Sequence, residues 1–419
     1  MKRQVETMAQ TWQNAETEFP TFARHYSLSD KKQNESLLSE QLNWLVSELE
    51  RADRNANRRD EIAGEAGRRF KQAGKTIFDL TNDQANTLEN EGIPPISYQF
   101  FQTARQFDPG VSTADIFQAS RNVWTMNYLQ VLLDLPVKLT PSVFAYSMLY
   151  PITDNYLDDP KQSAEEKRNF NQRFSDWLRG GTLPPSTPHE RKVAQLIHLI
   201  EREFPRNEPL QVFDSLLAIQ SAQQKSLMQC SDRNSISTQD CLNIAIEKGG
   251  TSVLADAFLV AGSVPQWQMK IIFNYGVFAQ FMDDQEDVAG DIKQHSVSVF
   301  TEAARSGRLD LTMNRLFSFS RTVLKDLDRF DAPRSKPLKE ISMKGIDLLL
   351  IDACARTSRF YSQGYLSDLE PYFPFRFKYL AEIRRQMETK KPLLNRFMGE
   401  ITGSNSAQPA KWVQSLGFE

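Results

Sequence analysis

The acid-rich run MDDQEDVAGD, residues 282–291, closes a segment of helical period that begins after Pro265. Ile271, Tyr275, Phe278 and Met282 follow at spacings of four, three and four, which marks one apolar helix face. Gly276, Gln280, Asp283 and Asp287 form a second stripe beside it, and Asp284 and Asp291 border the same face. A solvated helix ordinarily intersperses lysine among such acids, but here Lys270 precedes the cluster and Lys293 follows it. Several carboxylates therefore meet at one helix end beside apolar neighbours. An EF-hand is excluded, because this run lacks the alternating ligands and the central glycine. A plain acidic surface is the alternative reading.

A second acidic group lies upstream in YPITDNYLDDP. Asp154 and Asp158 are four residues apart and share a helix face, with Asp159 adjacent. Pro160 discourages continuation, so the acids fall at a helix C-terminus, where the macrodipole is already negative. Taken alone, this cluster reads equally as a solvated helix end. Together, the two clusters offer hard oxygen ligands, which suit Mg²⁺, Mn²⁺ or Ca²⁺ rather than zinc. Mg²⁺ is usually held by one or two carboxylates plus substrate phosphates. Two such clusters on facing helices would clamp a diphosphate and stabilise its departure.

The elements that carry these residues are expected to be helices. Glycine is scarce, 18 of 419 residues, and few segments alternate in the manner of strands. An all-α fold follows. Thr140-Pro141 reads as a helix start, with an N-cap followed by proline at the first helical position. The preceding helix is expected to run to Pro136. Glu91–Ser97 reads as a break and Arg179–Glu190 as a loop, and further helices are expected after Thr238, after Val264 and from Pro337. Three parts result: a charge-rich N-terminal helical extension over residues 1–92, a main helical domain over 93–400, and a poorly ordered tail over 401–419.

A net charge of −3 gives no electrostatic case for nucleic acid. Three well-separated cysteines, Cys230, Cys241 and Cys354, imply no disulfide framework and suit a reducing, cytoplasmic setting. The basic N-terminus has no apolar core of a signal peptide. No run approaches the roughly 18 apolar residues of a membrane span, so contact with a membrane is expected to be peripheral at most. The four histidines show no metal-binding spacing, and no Walker, Rossmann or GxSxG motif is present.

The stripe Gly276, Phe278, Gln280, Asp283, Asp284, Asp287 resembles the second aspartate motif of trans-prenyl diphosphate synthases and their relatives. Asp154-x-x-x-Asp158-Asp159 resembles the D-x-x-x-D motif of squalene and phytoene synthases. KGGTSVLADAFLVAG, DDQEDVAGDIKQHSVSVFT and FYSQGYLSDLEPYFPFRF together resemble bacterial large-terpene synthases of the tetraprenyl-β-curcumene synthase type. The resemblance runs from about Thr113 to Met387. It implies an isoprenoid-synthase bundle around a central apolar pocket, Mg²⁺ dependence, and loss of diphosphate from a linear, long prenyl substrate to give a terpene hydrocarbon. It places Asp154 and Asp158 on one metal-binding wall and Asp283, Asp284 and Asp287 on the other. It departs at Lys161, where the family motif carries a further aspartate that Asp159 would replace.

Several residues are expected to support such a site. Lys248-Gly249-Gly250 offers a helix break that brings Lys248 or backbone to the diphosphate, with close helix packing as the alternative. Lys293 would reach a phosphate, and Arg359, with Arg356 and Tyr361, is a further substrate-binding candidate. Trp124, Tyr128, Tyr146, Tyr150 and Phe278 offer aromatic faces to a cation. Two other functions fit the same clusters. One is a prenyltransferase, chain-elongating or head-to-head condensing, although PKQSAEEKRNF lacks the arginine pair that elongation needs. The other is a non-catalytic helical scaffold, which has no use for unpaired carboxylates.

Overall fold

The computed structural model describes residues 1–51, 56–90, 93–159, 161–208, 211–226, 229 and 236–401. Every regular element among the described residues is helical. In order they are α1 (Lys2–Asn14), α2 (Leu28–Arg51), α3 (Ala56–Phe78), α4 (Asn82–Asn90), α5 (Ile93–Phe107) and α6 (Thr113–Leu132). Then come α7 (Pro141–Asp158), α8 (Ala164–Leu178), α9 (Pro188–Glu203), α10 (Val212–Ser226), α11 (Thr238–Ala261) and α12 (Gln266–Glu286). The last are α13 (Val288–Gln294), α14 (Val299–Ser306), α15 (Asp310–Lys325), α16 (Ser335–Arg356), α17 (Gln363–Leu369) and α18 (Phe377–Ile401).

Local chemistry sets the ends that matter for function. Thr140 caps α7, its hydroxyl accepting from the Val143 amide, with Pro141 in the first turn as expected. Pro151 lies inside α7 and removes one backbone hydrogen bond just ahead of Asp154. Helix α6 stops at Leu132 rather than running on to Pro136. The residue before a proline disfavours helix, and Asp134 turns the chain with φ of 59°. Glu91 and Gly92, the expected break, lie outside the described residues, as does the tail beyond Ile401.

Helix α11 is the centre of the bundle. It is buried along most of its length, from Cys241 to Leu259, and packs against α1, α6, α7, α10, α12 and α14. A helix apolar on all sides belongs inside other helices. Helix α12 lies closest to it. A Cβ on Gly276 would stand 2.2 Å from the Gly249 carbonyl oxygen, and one on Gly249 would stand 2.5 Å from the Gly276 carbonyl oxygen. The two glycines let the backbones meet. The site-bearing end of α12 is fixed by this crossing.

The first 92 residues do not behave as one unit. Trp12 of α1 is 4% exposed and sits among Phe281, Phe300 and Phe319, at centroid distances of 4.6, 6.1 and 5.6 Å. Gln4 donates to Asn274 of α12 (2.6 Å). Helix α1 thus belongs to the main core. Helices α2 and α3 pack with α18 around a small separate cluster of Leu49, Ile62 and Phe397. No described helix is long and apolar enough to cross a membrane.

Candidate active site

The two acidic helix ends face each other across one side chain. Tyr150, on α7, has its hydroxyl pKa pushed up to about 12, first by burial and then by the charges of Asp154 and Asp283. Asp154 follows Tyr150 by one turn on α7, whereas Asp283 ends α12. One phenol within the field of both carboxylates puts the ends of α7 and α12 on a common space. Arg121 of α6 also acts on Tyr150 and opposes those charges.

Asp283 contacts Arg121, with Nη2 to Oδ1 at 3.3 Å, and both side chains are largely open, 52% and 69% exposed. An ion pair that exposed contributes about 0–1 kcal/mol, so it leaves the carboxylate exchangeable. Loss of water around the Asp283 carboxyl raises its pKa, Arg121 and Lys248 oppose the rise, and Asp287 and Glu286 add to it. Asp284 accepts a hydrogen bond from Gln280 (2.7 Å), one helical turn earlier. Its other oxygen is buried and has no hydrogen-bond partner. Burial pushes the Asp284 pKa up to about 7, against the Gln280 hydrogen bond and Lys248. Asp287 is raised by burial and by Glu286. Asp291, on α13, is pushed up to about 6 by burial and by Asp287.

Lys248 of α11 is the cation common to all four of these carboxyls. The break expected at Lys248–Gly250 is absent, since α11 continues through it. Gly249 serves the helix crossing instead, because Gly276 and the Gln280 side chain occupy the space beside it. Gln280 orients Asp284.

The remaining expected residues divide. Asp159 ends α7 and accepts the Lys161 amide at its carboxylate (2.9 Å), a turn contact that accounts for it locally. The Asp158 side chain lies outside the described residues. Tyr361 is a correction: it is 1% exposed, accepts from Gln285 (2.9 Å) and packs in the core, so it braces α12 rather than facing a ligand. Arg359 is exposed, with its guanidinium over the Phe360 ring at 4.6 Å. Lys293 is exposed on α13, and the cations acting on the acidic cluster are Lys248, Arg121 and Arg356 instead. Arg356 is held by Glu286 and Asp352.

Two residues of this region were not singled out from the sequence. Arg121 reaches Asp283 from a separate helix, and nothing in SRNVW marks it. Asp256 is buried on α11, and its signal was legible as the lone acid in the apolar run SVLADAFLVAG.

Among the described residues, no three His, Cys, Asp or Glu side chains form a ready-made metal cage. The donors nevertheless fit Mg²⁺, which keeps waters and takes one or two carboxylates alongside phosphate oxygens. The buried, unpartnered oxygen of Asp284 is an acceptor in want of a positive partner. A cleft of about 380 Å³, open mouth included, adjoins this space. Tyr146, Leu149 and Tyr150 of α7 form one wall, and Phe174, Leu216 and Ile219 form part of the other. The chain matches no protein-family model, no curated protein and no solved structure.

Proposed function

We propose that this protein is a Mg²⁺-dependent class I terpene synthase, which releases diphosphate from a linear, long prenyl diphosphate and forms a terpene hydrocarbon. The observation that carries the reading is the position of Tyr150 beneath both Asp154 and Asp283. It supports a single site built from two acidic helix ends. Bound Mg²⁺ would supply charge stabilisation to the departing diphosphate.

The chain's own residues have distinct tasks in this reading. Asp154 holds one side of the metal–diphosphate group, and Asp283 and Asp287 hold the other. Asp284 is oriented by Gln280. Lys248 and Arg121 offset the crowded negative charge and offer donors to phosphate oxygens. The apolar side chains of the adjoining cleft, Leu149, Phe174, Leu216 and Ile219, suit a prenyl tail and keep water from a cation. Two buried free thiols, Cys241 and Cys354, are in keeping with a reducing, cytoplasmic setting.

The test is incubation with geranyl, farnesyl, geranylgeranyl and longer diphosphates, with and without Mg²⁺. Hydrocarbon and free diphosphate, both dependent on Mg²⁺, are expected. Longer diphosphates formed only when isopentenyl diphosphate is added would assign the protein to the elongating transferases. No turnover of any of them would remove the enzymatic reading.

A further inference from the structure

Asp256 is 1% exposed on α11. Its Oδ1 accepts a hydrogen bond from the Asn122 amide of α6 (3.2 Å), and the same amide donates to the Ser147 hydroxyl of α7 (3.3 Å). Oδ2 is buried and has no hydrogen-bond partner. An ionised carboxylate there would be a buried, unpaired charge, which proteins avoid by keeping the group neutral. Burial indeed pushes this carboxyl well above its ordinary range, opposed by the Asn122 amide. Because Oδ1 is already an acceptor, the proton belongs on Oδ2.

Tyr146 is the titratable neighbour of this acid. It lies within the field of Asp256 and of Asp154, and it hydrogen-bonds Ser252. Its ring also lines the cleft beside Tyr150. Asn122 from α6 and Ser147 from α7 are the other polar groups against Asp256, and neither carries charge. Tyr146 therefore stands between a buried acid and the space where a prenyl tail would lie.

We propose that Asp256 is an internal proton store that acts on the occupant of the cleft through Tyr146. The proposal rests on the terpene-forming reading above. After the first cation loses a proton to give a neutral polyene, the Tyr146 O–H bond breaks. An alkene π pair forms the new C–H bond, and the adjacent carbon becomes the new cation. The Oδ2 proton moves to the tyrosine oxygen, leaving the Asp256 carboxylate. That carboxylate recovers a proton by the same path when a C–H bond beside the final cation breaks to form C=C. The proton count is unchanged over the cycle, and partly exposed Tyr150 gives the store exchange with solvent.

Two measurements on the full chain test this. Infrared spectra of the free protein in alkaline buffer, where Asp284 with its pKa of about 7 has ionised, are expected to keep a protonated-carboxyl band that Asp256→Asn removes. Absence of that band in the wild type overturns the proposal whatever the substrate. Turnover of prenyl diphosphates in D₂O is expected to place solvent deuterium on product carbon. Asp256→Asn and Tyr146→Phe are each expected to lower the deuterium incorporated per diphosphate released by about a hundredfold, the lower end of what a positioned acid contributes. Melting curves of both variants verify that they fold. Equal deuterium per diphosphate in variants and wild type overturns the proposal and leaves the terpene-forming reading standing. Absence of diphosphate release from the wild type takes down both.

Discussion

A carboxyl enclosed among other carboxyls favours its neutral form, and this sets how the acidic end of α12 responds to pH. Asp284 has a folded pKa of about 7 against an ordinary 3.8, and Asp291 is also raised, to about 6. A folded value above the unfolded one stabilises the fold fully below the unfolded pKa. That stabilisation is lost as pH rises through the folded value. The metal-free protein is therefore expected to melt at a lower temperature at about pH 8 than at about pH 5, and Asp284→Asn should flatten that decline. A melting temperature that rises across this range, or a slope untouched by Asp284→Asn, would contradict the burial argument. Added Mg²⁺ should raise the melting temperature more at the higher pH, because metal binding needs ionised ligands. At this scale the sequence was informative about Asp283, Asp284 and Asp287, whose helical spacing is local. It was silent on Arg121, which contributes through a contact between helices that no spacing records.

At the scale of elements, the crossing of α11 and α12 decides whether the site is assembled. Gly276→Ala would drive a methyl to 2.2 Å from a backbone oxygen, which cannot yield as a flexible side chain would. A loss of about 1–3 kcal/mol in denaturant unfolding is expected, the ordinary cost of overpacking. Gly345→Ala in α16 meets nothing within 4 Å and should stabilise by about 0.5–1 kcal/mol through helix propensity. Equal responses from the two variants would refute the close-crossing account. The start of α7 was legible in Thr140-Pro141, because capping is local chemistry. The role of Gly249 was not: a glycine in a helix reads the same whether it breaks the helix or admits a neighbour. Likewise, Tyr361 in its FYSQGY context gave no sign that its hydroxyl turns inward to Gln285.

Over the whole molecule, the all-α class followed from composition and periodicity, whereas the packing of the N-terminus did not. Helix α1 is polar by sequence except for Met8, Ala9 and Trp12, and one tryptophan among three phenylalanines joins it to the core. Trp12→Ala is expected to cost about 3–5 kcal/mol by urea unfolding, as for other buried aromatics. A cost near zero would make α1 the separate extension that its polarity suggests. Helices α1, α11, α12 and α15 then hold the acidic end of α12 opposite that of α7, and the central claim is that these ends act as one site. Binding of Mn²⁺ to the full chain in the presence of inorganic diphosphate, followed by electron paramagnetic resonance, tests it most directly. Asp154→Asn and Asp283→Asn are each expected to abolish the diphosphate-dependent binding, with the double variant no worse than either. Wild-type binding by Asp154→Asn would contradict a site shared between the two helix ends.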